Sequence, residues 1–92
     1  MNPSSPALLE LKKNLRSFIV DTFLFGDAGN LTDETSFLSQ GIVDSTGVLE
    51  LVAHLEQTYR VQMKDDELVP ENLDSINALA AFLTRKRQGS AA

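Results

Sequence analysis

Apolar residues recur at spacings of three and four positions along residues 7–24, which predicts a first amphipathic helix there. Most charged residues of this segment fall away from the apolar stripe, as a helix with one buried face requires. Phe23 and Phe25 are expected to close the helix, and Gly26 follows as a stop signal. The predicted stripe consists of Leu8, Leu11, Leu15, Phe18, Ile19 and Thr22.

The same periodicity predicts a second helix over residues 45–59 and a last helix that begins after Asp74 or Ser75, either of which can cap it. Three consecutive acids, Asp65 to Glu67, suit a helix N-terminus and predict a short helix near residues 65–69. The predicted stripes are Val48, Leu49, Leu51, Val52, Leu55 and Tyr59 in the second helix, and Ile76, Leu79, Ala80 and Leu83 in the last.

Residues 26–43 form a long connection that contains turn formers but is not simply polar. Its apolar residues indicate that it is tethered to the core, with one short helical turn near residues 33–38. No segment has a strong strand pattern. The predicted fold is therefore all-α: a small four-helix bundle, three main helices plus one short helix, with a long loop between helices 1 and 2. The domain is predicted to span 7–87, between a flexible lead at 1–6 and a flexible tail at 88–92.

The composition excludes several kinds of chemistry. The 92 residues include no cysteine, which excludes disulfides and a cysteine nucleophile, and the single histidine, His54, has no partner for a zinc site. His54 is expected on the polar surface of helix 2. The apolar runs are too short for a membrane span, and the N-terminus lacks a signal-peptide pattern, so we expect a cytoplasmic protein without membrane insertion.

The net charge is −5, and the acids concentrate in the centre of the chain. Residues 44–74 carry eight acids and two bases, whereas residues 75–92 carry three bases and no acid. An acidic surface argues against nucleic acid as a partner and suits partners that present basic patches. Solubility alone is the other interpretation of the charge.

The most informative stretch is GIVDSTGV, residues 41–48, where Asp44 and Ser45 precede the second helix. A serine here can simply cap the helix. The usual capping box is absent, because Gly47 and Val48 stand at the third positions after Asp44 and Ser45. A hydroxyl at a helix N-terminus is also a favourable place for a phosphate, which meets free N–H groups and the positive end of the helix dipole. The dipeptide alone leaves both interpretations open.

The surrounding pattern resembles the acyl carrier protein family over residues 35–83, and over nearly the whole chain once the first helix is included. Asp44-Ser45 matches the Asp-Ser pair of the family motif, and Phe37 matches a loop phenylalanine eight residues before that serine. The matching helical segments are Glu50-Leu51-Val52 and Leu55-Glu56 in helix 2, Asp65-Asp66-Glu67 in the short helix, and 76–83 in the last helix.

The resemblance implies that Ser45 carries 4′-phosphopantetheine, attached by a separate phosphopantetheinyl transferase that uses coenzyme A and Mg²⁺. The protein would then be a non-enzymatic, monomeric carrier. Its prosthetic thiol would hold an acyl or aminoacyl group as a thioester and pass it between enzymes of a lipid or secondary-metabolite pathway. The implied partners are a loading ligase, synthase or acyltransferase with basic docking patches. A thiol supplied by a cofactor also fits the absence of cysteine.

The chain departs from the family pattern just after the serine, where Thr46 replaces the usual leucine and Gly47 an often acidic residue. These departures favour a discrete carrier of a specialised pathway. Gly47 also weakens the first helical turn by about 1 kcal/mol relative to Ala. The residues implied in docking are Thr46, Gly47, Glu50, Glu56, Asp65, Asp66 and Glu67, although the last three are equally suited to starting a helix. The implied acyl-chain contacts, which can also be ordinary core residues, are Val48, Leu51, Val52, Leu68 and Ile76.

Two other functions are considered. In the first, the chain is a helical interaction module without a prosthetic group, and Ser45 is only a cap. In the second, Ser45 is the nucleophile of a small hydrolase. The sequence argues against the hydrolase, because it offers no general base at a convincing spacing and no visible oxyanion arrangement.

Overall fold

A computed structural model describes residues 6–90, which form a small all-α bundle. The helices are α1 (Pro6–Phe23), α2 (Ser45–Tyr59), α3 (Pro70–Leu73) and α4 (Ile76–Ser90), with a single 3₁₀ turn at Asp65–Glu67. This confirms the predicted class of three long helices and one short one. The predicted lead lies outside the described residues except for Pro6, which belongs to α1. Of the predicted tail only residues 91–92 lie outside, and residues 88–90 form the last turn of α4, which corrects the expectation of a flexible tail there. Within the described range, no helix has the length and apolar character needed to cross a membrane.

The three long helices bury their predicted stripes against one another. Leu15 and Ile19 of α1, Leu51 and Leu55 of α2, and Leu83 of α4 are completely buried. One position differs from the prediction, because Leu49 is exposed although the periodicity assigned it to the buried stripe of α2. The apolar stripe of α2 is therefore narrower than its sequence suggests.

The end of α1 differs from the expectation that two phenylalanines close it. Phe23 is half-buried and makes an edge-to-face contact with Phe18, at 5.9 Å between ring centroids. Phe25 instead projects into solvent, while the Gly26 N–H donates to the Val20 carbonyl at 3.0 Å and closes the helix end. The expectation is right for Phe23 and wrong for Phe25, because α1 ends at Phe23 and the backbone is left-handed at Phe25, with a φ of 54°.

The long loop is tethered to the bundle at Phe37, as predicted. The Phe37 side chain is 1% exposed, and its N–H donates to the Asp74 carbonyl at 2.8 Å. The Asp74 carboxylate accepts hydrogen bonds from the Ser36 hydroxyl and from the Leu38 N–H. The predicted helical turn near residues 33–38 forms slightly later, as a single bond from the Gln40 N–H to the Ser36 carbonyl at 3.1 Å. No regular helix forms there, because the Phe37 and Leu38 N–H groups donate to Asp74 at the α3–α4 junction.

A second tether joins the loop to α1 and α4. Arg16 donates to the Leu31 carbonyl at 2.9 Å and pairs with the Asp33 carboxylate at 2.7 Å. The Asp33 carbonyl in turn accepts from the Asn77 N–H at 2.9 Å. The loop is therefore held at three elements, which places its Phe37 end beside the start of α2.

The predicted short helix is divided into two pieces. The acids at 65–67 form only a 3₁₀ turn, and α3 begins at Pro70, whose missing N–H costs nothing in a first turn. Of the two proposed caps of α4, Ser75 is the one whose hydroxyl oxygen accepts from the Ala78 N–H, at 3.0 Å. Asp74 instead binds the loop.

Candidate functional site

At the N-terminus of α2, Asp44 caps the helix and the Ser45 hydroxyl is not used for capping. Asp44 has extended backbone dihedrals, and its Oδ1 accepts from the Gly47 N–H at 2.7 Å, as an N-cap does. Ser45 is the first residue of the helix and is exposed. Within the described residues, its hydroxyl has no hydrogen-bond partner. The helix start therefore does not need the Ser45 hydroxyl.

The same helix end offers a site for an anion. In the described part of the chain, the backbone N–H groups of Ser45 and Thr46 have no protein acceptor. Unpaired N–H groups and the positive end of the helix dipole favour a negatively charged group. A phosphate on the Ser45 oxygen would lie beside these donors. The residues present thus fit a phosphodiester-linked group.

Gly47 has a packing role that the sequence did not indicate. A Cβ added to it would lie 2.9 Å from Cε1 of Phe23 and 3.3 Å from both Asp44 Oδ1 and Val43 Cγ1. The end of α1 therefore approaches the first turn of α2 more closely than a side chain at position 47 allows. An acidic side chain at this position would collide with the Phe23 ring, which explains its absence. The proposed role of Gly47 in docking stays a prediction.

An apolar cavity of about 300 Å³ opens beside Ser45. It lies between the tethered loop, the first turns of α2, and the segment that leads into α3. Among the implied acyl-chain contacts, Val48 and Leu68 line it, whereas Leu51 and Ile76 are fully buried core residues outside its lining, and Val52 does not line it either. Asp74 is the only charged residue in the lining. The lining consists of Phe37, Leu38, Val43, Ser45, Val48, Leu68, Val69, Pro70, Leu73 and Asp74.

The acids implied in docking separate into two groups. Glu50, Asp65 and Asp66 are exposed, as is Thr46, so a partner can reach them. Glu56 and Glu67 already have partners within the chain: Glu56 Oε2 accepts from the Met63 N–H at 2.9 Å.

Glu67 is held by two lysines. Its Oε1 accepts from the Lys64 N–H and from Lys86 Nζ, each at 2.9 Å. The hydrogen bond from the Lys64 backbone, followed by that from the Lys86 side chain, lowers the pKa of Glu67. Both acids therefore have structural roles, whether or not they also contact a partner.

His54 packs against α1 instead of standing free on the surface. Its ring lies parallel to that of Phe18, with 3.7 Å between centroids and 4° between planes. The predicted surface position is therefore only partly right. Burial against α1 lowers the pKa of His54 from its ordinary value of 6.5. In the described residues its only polar neighbour is the Thr58 hydroxyl, at 3.4 Å, so no acid–base pair is formed.

This pKa predicts a loss of stability in mild acid. The unfolded chain binds the His54 proton more tightly than the folded chain does. The folded state therefore has its full stability above about pH 6.5, and stability is lost as the pH falls towards the folded pKa of His54. The urea midpoint of the wild type should therefore fall between pH 7.5 and pH 5.5. His54→Gln, which does not titrate, should show a smaller fall over the same range. Parallel pH profiles for the two proteins would contradict this prediction.

Comparisons with known proteins identify the family of this chain. The sequence model of the family "Phosphopantetheine attachment site" matches residues 23–83. The chain is 30% identical over 86 residues to the "Probable acyl carrier protein PigG" of Serratia sp. (strain ATCC 39006), a match that covers 89% of this chain and 99% of that protein. It is also similar to a chain in the crystal structure of an FAD-dependent dehydrogenase, with 35% identity and a TM-score of 0.68, over 75% of this chain and 97% of that one.

A four-helix bundle with an exposed serine at the head of its second helix is the architecture of a carrier protein. The chain belongs to the acyl carrier protein family of phosphopantetheine-binding proteins. Its prosthetic group is covalently attached 4′-phosphopantetheine.

Several contributions to the site could not be found from sequence. Asp74 was considered only as a cap, yet it holds the loop that forms one wall of the cavity. Leu38, Val69 and Pro70, which line the same cavity, carried no signal beyond being apolar. Val69, Pro70 and Asp74 are distant in sequence from Ser45 and become its neighbours only through the tertiary fold.

Proposed function

We propose that Ser45 is the attachment point and that this protein shuttles an acyl or aminoacyl group between enzymes of a lipid or secondary-metabolite pathway. The observation that supports it best is the division of roles at the head of α2. Asp44 takes the cap by accepting the Gly47 N–H, and the exposed Ser45 hydroxyl remains free. A serine retained only as a cap would be expected to accept that N–H itself.

The residues around Ser45 have different tasks in this proposal. Asp44 fixes the first turn, and the Ser45 and Thr46 N–H groups stabilise the phosphate. In this proposal a separate phosphopantetheinyl transferase activates the Ser45 hydroxyl, to which no base is hydrogen-bonded within the described residues. The prosthetic group supplies the thiol that carries the cargo as a thioester. The carrier thus contributes no catalytic group of its own.

The cavity beside Ser45 is the place where cargo would be sheltered. Its walls are apolar, with Val48 and Leu68 facing it from opposite segments. A volume of about 300 Å³ has room for a short or medium-length acyl group. We include Leu51, Val52 and Ile76 in the proposal only as the core that supports these walls, since none of the three lines the cavity.

The partners would meet the exposed part of the predicted docking set. Thr46, Glu50, Asp65 and Asp66 are accessible and suit enzymes with basic patches. A flavin-dependent dehydrogenase is a specific candidate partner. Three quarters of this 92-residue chain covers 97% of the similar chain in the dehydrogenase crystal structure, so that chain is itself a small carrier-like domain. Such an enzyme would oxidise the carried group. The proposed carrier is a monomeric, cytoplasmic protein.

The attachment is tested by incubating the apo protein with coenzyme A, Mg²⁺ and a broad-specificity phosphopantetheinyl transferase, followed by intact mass measurement. The wild type should gain one phosphopantetheine, and Ser45→Ala should gain none. Ser45→Ala should remain folded because Asp44 holds the cap. Ser17→Ala, which removes an exposed hydroxyl from α1, is the matched control and should gain the group in full.

Two outcomes would contradict the proposal. If Ser45→Ala is still modified, the attachment point lies elsewhere. If the wild type gains nothing under conditions that modify a known carrier, the alternative of a helical interaction module without a prosthetic group is supported instead.

A further inference from the structure

Phe25 occupies a position that folding alone disfavours. Its side chain is 95% exposed, so it contributes almost no buried apolar area. Its backbone has a φ of 54°, in the left-handed region that glycine or asparagine usually occupies at a helix end. The next residue, Gly26, has a φ of 87° and is suited to its conformation. The phenylalanine therefore has neither a packing nor a backbone reason to be there.

Phe25 lies at the same end of the bundle as Ser45. It follows Phe23 by two residues, and two residues span at most about 7 Å. The ring of Phe23 is so close to Gly47 that a Cβ on the glycine would lie 2.9 Å from it. Gly47 is in the first turn of α2, two positions after Ser45. An enzyme that reaches the Ser45 hydroxyl thus approaches the Phe25 ring as well.

The charged residues near this ring in the sequence are all acidic. No lysine or arginine occurs between Arg16 and Arg60, whereas that stretch contains seven acids. Asp33 among them is neutralised by its ion pair with Arg16. The exposed acids nearest in sequence to Phe25 and Ser45 are Asp21, Asp27, Asp44 and Glu50.

This charge distribution favours one kind of binding partner for the Phe25 ring. A second copy of the chain, bound symmetrically through Phe25, would bring Asp21 and Asp27 against the same acids, and like charges across an interface are unfavourable. A partner whose apolar pocket has a rim of lysine and arginine meets both the ring and the acids. An aromatic side chain that fills such a pocket is the usual form of an interface hot spot.

We propose that Phe25 is the aromatic anchor by which this carrier docks on its phosphopantetheinyl transferase. The transferase acts on the Ser45 hydroxyl itself, so its contact area must surround the head of α2. Enzymes that act at the far end of a flexible arm can dock elsewhere. The inference rests on the proposed attachment at Ser45 and adds to it a contact just after the end of α1, outside α2.

The test is the steady-state rate of phosphopantetheine loading by a transferase that modifies the wild type. Phe25→Ala should raise KM by at least about tenfold with kcat little changed, because a docking contact is made equally in the ground state and the transition state. Phe25→Tyr should restore a KM near that of the wild type. Leu9→Ala removes an exposed apolar side chain near the opposite end of α1 and should leave KM unchanged.

A second variant separates docking from folding. Phe25→Gly relieves the left-handed backbone, so its thermal midpoint should be at or above that of the wild type, while its KM should rise as in Phe25→Ala. A structural role for the ring would instead lower the midpoint and the loading together, and that result would overturn the inference.

The two proposals fail in different ways. If the wild type is never loaded, the attachment at Ser45 fails first. If the wild type is loaded and Phe25→Ala has an unchanged KM, only the anchor is wrong. A dimer of the wild type that Phe25→Ala dissociates would assign the ring to a second copy and would also overturn the anchor.

Discussion

Phe37→Ala is expected to lower the free energy of unfolding by about 3–5 kcal/mol, which is the usual cost of removing a buried phenylalanine side chain. Phe37 is 1% exposed and is the largest fully buried side chain described. Its carbonyl accepts from the Ile42 N–H at 2.8 Å, so the ring fixes both the tether and the return of the loop towards α2. In a small domain this is a large part of a total stability of roughly 5–15 kcal/mol.

Urea unfolding followed by circular dichroism measures this loss. Phe37→Leu keeps most of the buried apolar surface and should lose less than half as much. Phe25→Ala is the matched control, because it makes the same substitution at an exposed ring and should cost almost nothing. Equal losses for Phe37→Ala and Phe25→Ala would show that the loop is not anchored through its aromatic residue.

Asp74→Ala is expected to lower the free energy of unfolding by about 2 kcal/mol, because hydrogen bonds to a charged group contribute about 1.5–3 kcal/mol and water replaces part of what is lost. One carboxylate oxygen accepts from the Leu38 N–H at 2.8 Å and the other from the Ser36 hydroxyl. The Phe37 N–H bond to the Asp74 carbonyl should survive the substitution. The loop is thus expected to loosen without detaching.

Glu71→Ala is the control for Asp74→Ala, since it removes an exposed carboxylate three residues away and changes the net charge equally. It should lie within about 0.5 kcal/mol of the wild type. A double-mutant cycle with Ser36→Ala isolates the bond between the two side chains. If the effects of Asp74→Ala and Ser36→Ala simply add, the carboxylate does not hold the loop through that hydroxyl.

Much of the fold could be predicted from the sequence, because helical periodicity is a local property. The spacing of Leu51 and Leu55 identifies the buried face of α2, and the predicted bounds of that helix agree with the structure. The length and apolar content of the loop indicated its tether. The motif Asp44-Ser45 and its place in the helix order were sufficient to identify the family.

Other features were decided only by tertiary structure. Sequence left open whether Ser45 caps α2 or carries a group, and left the cap of α4 open between Asp74 and Ser75. Adjacent residues with similar oxygens compete for the same N–H groups, and the position of neighbouring elements decides which one is free. The Asp74 carboxylate accepts a hydrogen bond from the Leu38 N–H in the loop, so Ser75 caps α4 by accepting from the Ala78 N–H.

The sequence by itself determined the helices, their buried faces, the acidic centre and the position of a serine at a helix start, because each depends on residues close together in the chain. The tertiary structure decided that Ser45 keeps a free hydroxyl, that Gly47 makes room for Phe23, and that His54 lies on Phe18. It also decided that Phe25 stands in solvent beside this end of the bundle. These facts depend on how closely α1 packs against α2. The periodicity of each helix shows which face is buried but does not give the distance between the two helices.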